Sequence, residues 1–435
     1  MGWKRDALKS CLILAIACGM VMESFSLAYA QYSSVPGAET HAIAGPEGRT
    51  TGELATTIIP SLRLAERYDS NVFFVKGTNL EDYVTTVSPQ LQVMHKNQWV
   101  DVMVRGGATG EVYARNPGLN YVGANGMVAL NLDRVASALL PGLGLNITNS
   151  ASYTPQPPAF AAPMTGSQIS EAFVQGIQAR RANSFSNMAN VEASYFFLPY
   201  LGVSSTFTDS RLRFGKAFSA PDGVVPSGRF INTNFQTLTS GLVMKPSLTD
   251  TISVSHQFRN ATYSDPDRED RGFSTQGAIV NWSKSITPQL KVIGNGGFSV
   301  LSQRSGIYPV GGGSLEWQGG YTTLRVSYSR AISPGFLFAS GALVNEVVTG
   351  TVTHQMAEPC MLSLSANYAI NRSVPDSSAV RFESYSVTPS ITYKLSSSVT
   401  ASFSYTHSEF HRAFLGQAID FNRNMVMLNL LAEWR

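Results

Sequence analysis

The feature that most constrains this sequence is a polarity pattern with a period of two residues, which runs from about residue 55 to the end of the chain. Stretches of roughly 9 to 14 residues alternate between apolar and polar side chains, and turn-forming residues separate the stretches. The terminal stretch MVMLNLLAEWR is typical, because Val426, Leu428, Leu430, Ala432 and Trp434 share one face. The pattern predicts two-faced β-strands along the chain and no helical domain.

A short apolar run near the start has a different character. The chain has 435 residues, and CLILAIACGMVM at positions 11–22 is its only continuous apolar run. Its length of about twelve residues is too short for a membrane-spanning helix, which needs roughly twenty. Basic residues precede the run and Ala28-Tyr29-Ala30 follows it, so we expect a secretory signal peptide over residues 1–30, cleaved before Gln31. The alternative is a lipoprotein box that ends at Cys18.

Residues 31–54 are rich in Gly, Ala, Ser, Thr and Pro. They show neither the two-residue period of a strand nor the 3.6-residue period of a helix, which predicts a flexible periplasmic segment. The barrel is expected to occupy residues 55–435. After removal of the signal peptide, Cys360 is the single cysteine, so no internal disulfide can form. A formal net charge of +3 without a long basic cluster predicts no binding to nucleic acid.

The connections between stretches alternate between short and long. Tight turns are predicted near residues 95–98, 199–200, 246–250, 286–288, 318–320, 357–359 and 395–397, and long polar loops at 154–183 and 215–232. Outer-membrane barrels sort their connections in this way, with short turns in the periplasm and long loops outside. The prediction is therefore an all-β fold, a transmembrane antiparallel up-and-down β-barrel in the outer membrane of a Gram-negative-type envelope, with about 18 strands and 16 as the alternative.

Aromatic residues near predicted strand ends favour the same geometry, because their rings suit the headgroup level of a membrane. They are Tyr83, Trp99, Tyr121, Tyr153, Tyr200, Trp282, Trp317, Tyr321, Tyr393 and Trp434. The last strand, with Leu428, Leu430 and Trp434 on one face, looks like the C-terminal signal that the barrel-insertion machinery recognises. It departs from that pattern because Arg435 follows the tryptophan.

Three stretches resemble a known family. RYDSNVFF (Arg67 to Phe74), EDYVTTVSPQLQV from Glu81, and SYSVTPSITYKLSSSVTASFSYTH (Ser384 to His407) are similar to beta-barrel porin proteins associated with exopolysaccharide and PEP-CTERM gene clusters. Those proteins tend to open with a Tyr-Asp-x-Asn element and a Ser-Pro strand. The resemblance implies a barrel from about residue 55 onward and a role linked to polysaccharide, and it carries over no catalytic residue.

A barrel of 16 to 18 strands leaves a water-filled lumen unless something plugs it. The predicted inner face is rich in Ser, Thr, Asn and Gln, a composition that can hydrogen-bond a hydroxylated solute without strong selection for an ion. Sparse charges of both signs lie on the same face and are candidate lumen-lining residues: Asp101, Arg105, Glu111, Arg115, Arg259, Arg325 and Lys394.

The third predicted external loop contains TGSQISEAFVQGIQARR, which has a capping-box pair and apolar residues at helical spacing. It predicts either a short helix that folds into the barrel as a constriction or an external loop with its own small core. The candidate constriction residues are Thr165, Gln168, Ile169, Phe173, Ile177, Arg180 and Arg181.

An enzymatic function finds little support. His407, Glu409 and His411 share a face at a spacing that could hold a metal, but the sequence offers no confident further ligand. Nucleotide-binding and serine-hydrolase motifs are not evident, so we expect no catalytic residue, no metal and no cofactor.

The expected function is an aqueous pore for export or surface assembly of an exopolysaccharide. The alternatives are a general diffusion porin for small solutes and a non-conducting structural or surface-binding barrel. Expected partners are outer-membrane lipids, the insertion machinery, the polysaccharide and periplasmic export proteins.

Overall fold

In the computed structural model, the described residues are 55–73, 81–154, 182–217, 232–264, 272–302, 306–334, 342–374, 380–414 and 417–434. They form eighteen strands in chain order: β1 (Ala55–Asp69), β2 (Asp82–Lys96), β3 (Asp101–Tyr113), β4 (Tyr121–Asn131), β5 (Leu143–Thr154), β6 (Ala182–Leu198), β7 (Leu201–Ala217), β8 (Asn232–Met244), β9 (Asp250–Ser264), β10 (Phe273–Thr287), β11 (Leu290–Leu301), β12 (Ile307–Gly319), β13 (Thr322–Pro334), β14 (Ala342–Ala357), β15 (Cys360–Val374), β16 (Val380–Lys394), β17 (Val399–Phe414) and β18 (Gln417–Glu433).

Each strand pairs antiparallel with its neighbours in sequence, and β1 also pairs with β18. The pairing from Ser61↔Glu433 to Asp69↔Met425 closes the sheet into an up-and-down barrel. Closure matters because it removes the two open edges that a flat sheet would expose to lipid. The predicted fold class and the predicted count of 18 strands are confirmed.

Most short connections lie at one end of the barrel and most long ones at the other, with exceptions at residues 132–142 and 415–416. Short turns such as 199–200, 288–289, 320–321 and 358–359 lie at one end, which we call the turn end. The strand ends that residues 155–181 and 218–231 connect lie at the opposite end, which we call the loop end. The tight turns predicted from the sequence all fall at the turn end. Odd-numbered strands therefore begin at the turn end, and even-numbered strands end there.

The structure adds one helix that the strand pattern did not predict, α1 (Asp133–Leu139), between β4 and β5. Asp133 anchors it, because its carboxylate accepts a hydrogen bond of 2.7 Å from the backbone N–H of Leu145. Arg134 donates a bond of 2.5 Å to the carbonyl of Asn97 in the adjacent turn. The helix therefore braces two connections at the turn end. A short 3₁₀ helix (Pro117–Leu119) lies between β3 and β4. Among the described residues, neither it nor α1 is long and apolar enough to cross a bilayer.

Alternation along the strands separates two surfaces. Large apolar side chains are exposed on the outer face, as at Leu238 and Leu242 of β8 and at Leu362 and Leu364 of β15. Residues between them point inward and are small and polar, as at Thr237 of β8, which is buried. An apolar exterior on a closed barrel is suited to lipid hydrocarbon, whereas the polar interior is suited to water.

Aromatic side chains mark the outer surface near the strand ends. Trp99, Tyr200, Trp317, Tyr321 and Tyr393 are exposed at or near the turn end. Such a girdle fits the headgroup level of a membrane, where the rings meet both apolar and polar surroundings. A predicted belt residue differs, because Tyr121 packs against a buried cluster at the loop end.

Candidate functional site: the lumen

The inner wall consists largely of hydroxyl and amide side chains that hydrogen-bond across neighbouring strands. Ser327 and Thr349 place their hydroxyl oxygens 2.5 Å apart across β13 and β14. Thr208 donates to the amide oxygen of Asn190 at 2.9 Å across β6 and β7. Because these groups already have partners, the wall is polar but presents few dangling donors that would hold a passing solute tightly.

The charged side chains on the wall have polar or oppositely charged neighbours. The predicted lumen residue Asp101 lies at the start of β3 near the turn end, with Lys96 at 3.9 Å and Arg134 at 3.5 Å from its carboxylate. Arg105 donates from Nε to the side-chain oxygen of Gln92 at 2.9 Å on the adjacent strand. The two cations weaken the field that Asp101 projects into the lumen, whereas Gln92 is neutral and leaves the charge of Arg105 in place.

Three further predicted lumen residues occupy different environments. Arg325 donates from Nε to Glu316 at 2.9 Å across β12 and β13. Lys394 ends β16 at the turn end, where its side chain is exposed. Arg115 lies past the end of β3, in the connection to β4, and forms an ion pair with Glu81. The hydrogen bond from Arg115 holds the pKa of Glu81 below its ordinary value.

The seam between the first and last strands carries a buried charge network that sequence reasoning did not identify. Arg67 of β1 lies 3.2 Å from Glu111 of β3, whose carboxylate also accepts a hydrogen bond of 2.6 Å from Tyr113. Asp69 of β1 accepts bonds of 2.9 and 2.5 Å from Arg423 of β18. The network therefore joins β3, β1 and β18 on the inside of the barrel near the loop end.

The predicted lumen residue Glu111 thus belongs to this network and is only 2% exposed. A sequence signal did exist, because Arg67 and Asp69 are two residues apart and share a strand face. Their partner Arg423 lies more than 350 positions along the chain. Only closure of the sheet brings the two ends together.

Two apolar clusters lie at the loop end. The smaller one, cluster A, joins the β1–β2 and β3–β4 connections to the inner faces of β2 and β3: its buried members are Val72, Phe73, Val84, Tyr113 and Leu119. Buried apolar side chains on the inside of a wide barrel reduce the open cross-section, because they replace water there. Cluster A therefore narrows the loop-end mouth beside the charge network.

The larger one, cluster B, extends over strands β8 to β14: its buried members are Phe235, Ala261, Tyr263, Phe273, Leu301, Ile332 and Ala342. The predicted lumen residue Arg259 lies beside it and donates from Nη1 to the carbonyl of Ile332 at 2.9 Å. This cluster was not predicted, because its members come from six different strands and form no local pattern.

The C-terminal strand has the orientation expected from its pattern. Leu428, Leu430 and Trp434 lie on the outer face, with 52%, 40% and 50% of each residue exposed. They are therefore accessible to lipid or to an insertion factor, and recognition by the insertion machinery stays a prediction. The predicted signal-cleavage residues Ala28 and Ala30 lie outside the described residues, as does the predicted constriction loop from Thr165 to Arg181.

The possible metal ligands lie on the outer face near the loop end. His407 and His411 each place a ring nitrogen near the Glu409 carboxylate, at 3.4 and 3.8 Å. His407 also hydrogen-bonds the side chain of Asn424 at 2.8 Å. Within the part of the chain that the structure describes, no group of three His, Cys, Asp or Glu residues could hold a metal ion.

Taken together, a closed barrel with an apolar exterior and a polar interior defines the class of porin-like membrane barrels. A family model described as "Putative beta-barrel porin 2" matches residues 300–433, from the end of β11 to the end of β18. The resemblance to a beta-barrel porin family is therefore confirmed over this part of the chain. No curated protein sequence shows detectable similarity.

Solved structures of outer-membrane proteins show a distant likeness. The siderophore receptor PirA from Pseudomonas aeruginosa has 8% identity and a TM-score of 0.46, with 88% of this chain and 81% of that chain covered. The outer membrane protein OpdK from Pseudomonas aeruginosa has 10% identity and a TM-score of 0.44, with 87% and 99% covered. OmpT from Vibrio cholerae has 9% identity and a TM-score of 0.39, with 87% and 97% covered.

The protein is an integral barrel of the outer membrane and is porin-like. The closed ladder, the apolar outer face and the porin-family match over β12 to β18 agree on this location. The turn end then faces the periplasm and the loop end faces the exterior, following the general asymmetry of such barrels.

Proposed function

We propose that the barrel forms an aqueous path through the outer membrane that serves export or surface assembly of a polysaccharide. The observation that carries this proposal is the inner wall of small hydroxyl and amide groups that already hydrogen-bond across strands, such as Ser327 with Thr349 and Thr388 with Thr406. A glycan offers many hydroxyls, so it can exchange hydrogen bonds among wall, water and itself at little net cost.

The charge distribution supports a neutral or mildly charged cargo. Arg325 is paired with the opposite charge of Glu316, whereas Arg105 bonds the neutral side chain of Gln92 and keeps its positive charge, so the wall carries scattered single charges beside neutralised ones. A strongly ion-selective pore would need a ring of like charges. The resemblance to barrels of exopolysaccharide gene clusters supports the polymer as cargo, and periplasmic export proteins and the polymer itself are the proposed partners.

A general diffusion porin is the second candidate, and clusters A and B favour it. Both lie at the mouth, where a narrow opening suits small solutes better than a polymer. A non-conducting structural or surface-binding barrel is the third candidate. The three differ in what a deletion removes: the polymer at the surface, small-solute uptake, or neither.

Deletion of the gene, with complementation by the wild-type chain, tests the cargo. The export proposal predicts that polymer is undersecreted or retained in the periplasm, while uptake of sugars and amino acids is unchanged. Normal surface polymer together with reduced small-solute permeability would replace this proposal with the diffusion porin.

A matched pair of cysteine variants tests whether the lumen is the path. Met94 points inward on β2 and is 37% exposed, whereas its neighbour Val93 takes the opposite face. In a Cys360→Ser background, a bulky hydrophilic thiol reagent should reduce conductance and polymer export in Met94→Cys and leave Val93→Cys unaffected. Full conductance of fully labelled Met94→Cys would contradict a path along this wall.

A further inference from the structure

The wall of the barrel splits between β12 and β13 at the loop end. The register of these two strands ends at the pair Gly311↔Arg330. Beyond it, the first residues of β12 stay with β11, whereas Ala331–Pro334 of β13 stay with β14. Gly311 has a φ of 157°, and a Cβ there would lie 2.7 Å from the carbonyl oxygen of Asn295. Glycine thus permits the backbone conformation at the point where the strands part.

The freed end of β13 reaches a distant part of the wall. Arg259 lies on the inner face of β9, and its Nη1 donates to the backbone carbonyl of Ile332 at 2.9 Å. Strands β10, β11 and β12 separate β9 from β13, so four spacings of about 4.8 Å place them about 19 Å apart along a regular wall. An arginine side chain cannot bridge that distance. The two parts of the wall must therefore lean together across the lumen.

Cluster B fills the space under this contact. Ile332 lies near the end of β13 and Ala342 at the start of β14, beyond the point where β13 leaves β12. Both pack with Tyr263 of β9 and Phe273 of β10. Ala261 next to them is fully buried. Burial of these apolar groups favours the inward position, because separation would expose them to water in the lumen.

We propose that Arg259 is a latch that holds the loop-end parts of β13 and β14 across the external mouth, and that this latch sets the size limit for what passes. The proposal rests on the aqueous path proposed above. Ala331–Pro334 and the start of β14 are the moving part, and the inner wall of β8 to β11 is the fixed part. The charge-assisted hydrogen bond at 2.9 Å, backed by an apolar contact, is a restraint that a passing polymer can displace.

The test compares Arg259→Met with Arg381→Met in the full-length barrel in lipid nanodiscs. Methionine keeps an apolar stem and removes the guanidinium donors. Arg381 is the matched control, because it also lies near the loop end but pairs with Glu383, at 3.0 Å. Hydrogen exchange of residues 331–333 and 342–346 should accelerate about tenfold in Arg259→Met, as expected for loss of a charged hydrogen bond, and should not change in the control.

Single-channel conductance and exclusion of neutral polyethylene glycols provide the second readout. Arg259→Met should conduct more and admit larger polymers than the wild type. Unchanged exchange at 331–333 and 342–346 would overturn the latch. Faster exchange with unchanged conductance and size limit, in a protein that conducts, would overturn the claim that the latch narrows the pore. Faster exchange in a protein that never conducts would leave the latch in place and refute the aqueous path instead.

Discussion

Substitution of Asp69 by asparagine should destabilise the barrel more than any comparable surface change. Asp69 is 1% exposed and accepts two hydrogen bonds from Arg423, at 2.9 and 2.5 Å, and one from the backbone N–H of Asn71, at 3.1 Å. The Nε atom of Arg67 lies 4.0 Å from the same carboxylate. Asparagine keeps the shape but removes the negative charge that faces both arginines.

The expected loss in unfolding free energy is about 3–5 kcal/mol, the range for removing one member of a buried ion pair. The Arg423 side chain, 14% exposed, would lose the carboxylate that binds both its Nε and its Nη2. Replacing both members, in Asp69→Asn with Arg423→Met, should cost less than the sum of the two single changes, because neither charge then stays buried opposite a missing partner.

Guanidinium unfolding in lipid vesicles, followed by tryptophan fluorescence and by the gel shift between unheated and boiled samples, measures the effect. Lys96→Met is the control, because Lys96 is 63% exposed and lies 3.9 Å from Asp101, a pair worth about 0–1 kcal/mol. If Asp69→Asn unfolds at the same midpoint as this control, the seam network does not stabilise closure and the reasoning is refuted.

Four further predictions concern the strand register, signal cleavage, the third predicted external loop and the ion pair between Glu81 and Arg115. Arg at Leu364, which is exposed on the lipid face, should destabilise the barrel by roughly 2–4 kcal/mol, whereas Arg at the inward Ser365 should be tolerated; equal damage would refute the register. Intact mass of the outer-membrane form should show a chain that starts at Gln31, and a lipidated N-terminal cysteine would disprove this cleavage. Deletion of Thr165–Ala182 should raise conductance in a folded barrel, and unchanged conductance would place the loop outside the lumen. The pKa of Glu81 should lie below its ordinary value of 4.5, because Arg115 stabilises the carboxylate. The ion pair therefore contributes to stability above pH 4.5, and the contribution is lost as the pH falls through the lowered pKa. An NMR titration midpoint at or above 4.5 would contradict the ion pair.

The strands and their faces could be predicted from the sequence because alternation is local information. A one-residue shift would turn Leu428 and Leu430 into the lumen, so the polarity pattern alone fixes which side each residue faces. Turn residues between stretches fix the number of strands in the same way. The seven-residue helix α1 escaped prediction because it is too short to show a helical period.

The features that shape the lumen depend on contacts between distant parts of the chain. Asp69 and Arg423 meet only when the first and last strands pair. Arg259 and Ile332 meet only because the wall opens at Gly311, and no alternation pattern records that break. The sequence pattern therefore places Arg259 on the inner face, but it does not indicate that Arg259 donates a hydrogen bond to the carbonyl of Ile332.

The most direct test of the account is planar-bilayer recording of the purified mature barrel. A polar wall around an aqueous path predicts discrete open-channel steps, weak ion selectivity because charges such as Arg325 are paired, and exclusion of large neutral polymers at the external mouth. A preparation that shows the gel shift of a folded barrel but produces no conductance steps, in the wild type and in Arg259→Met alike, would contradict the account.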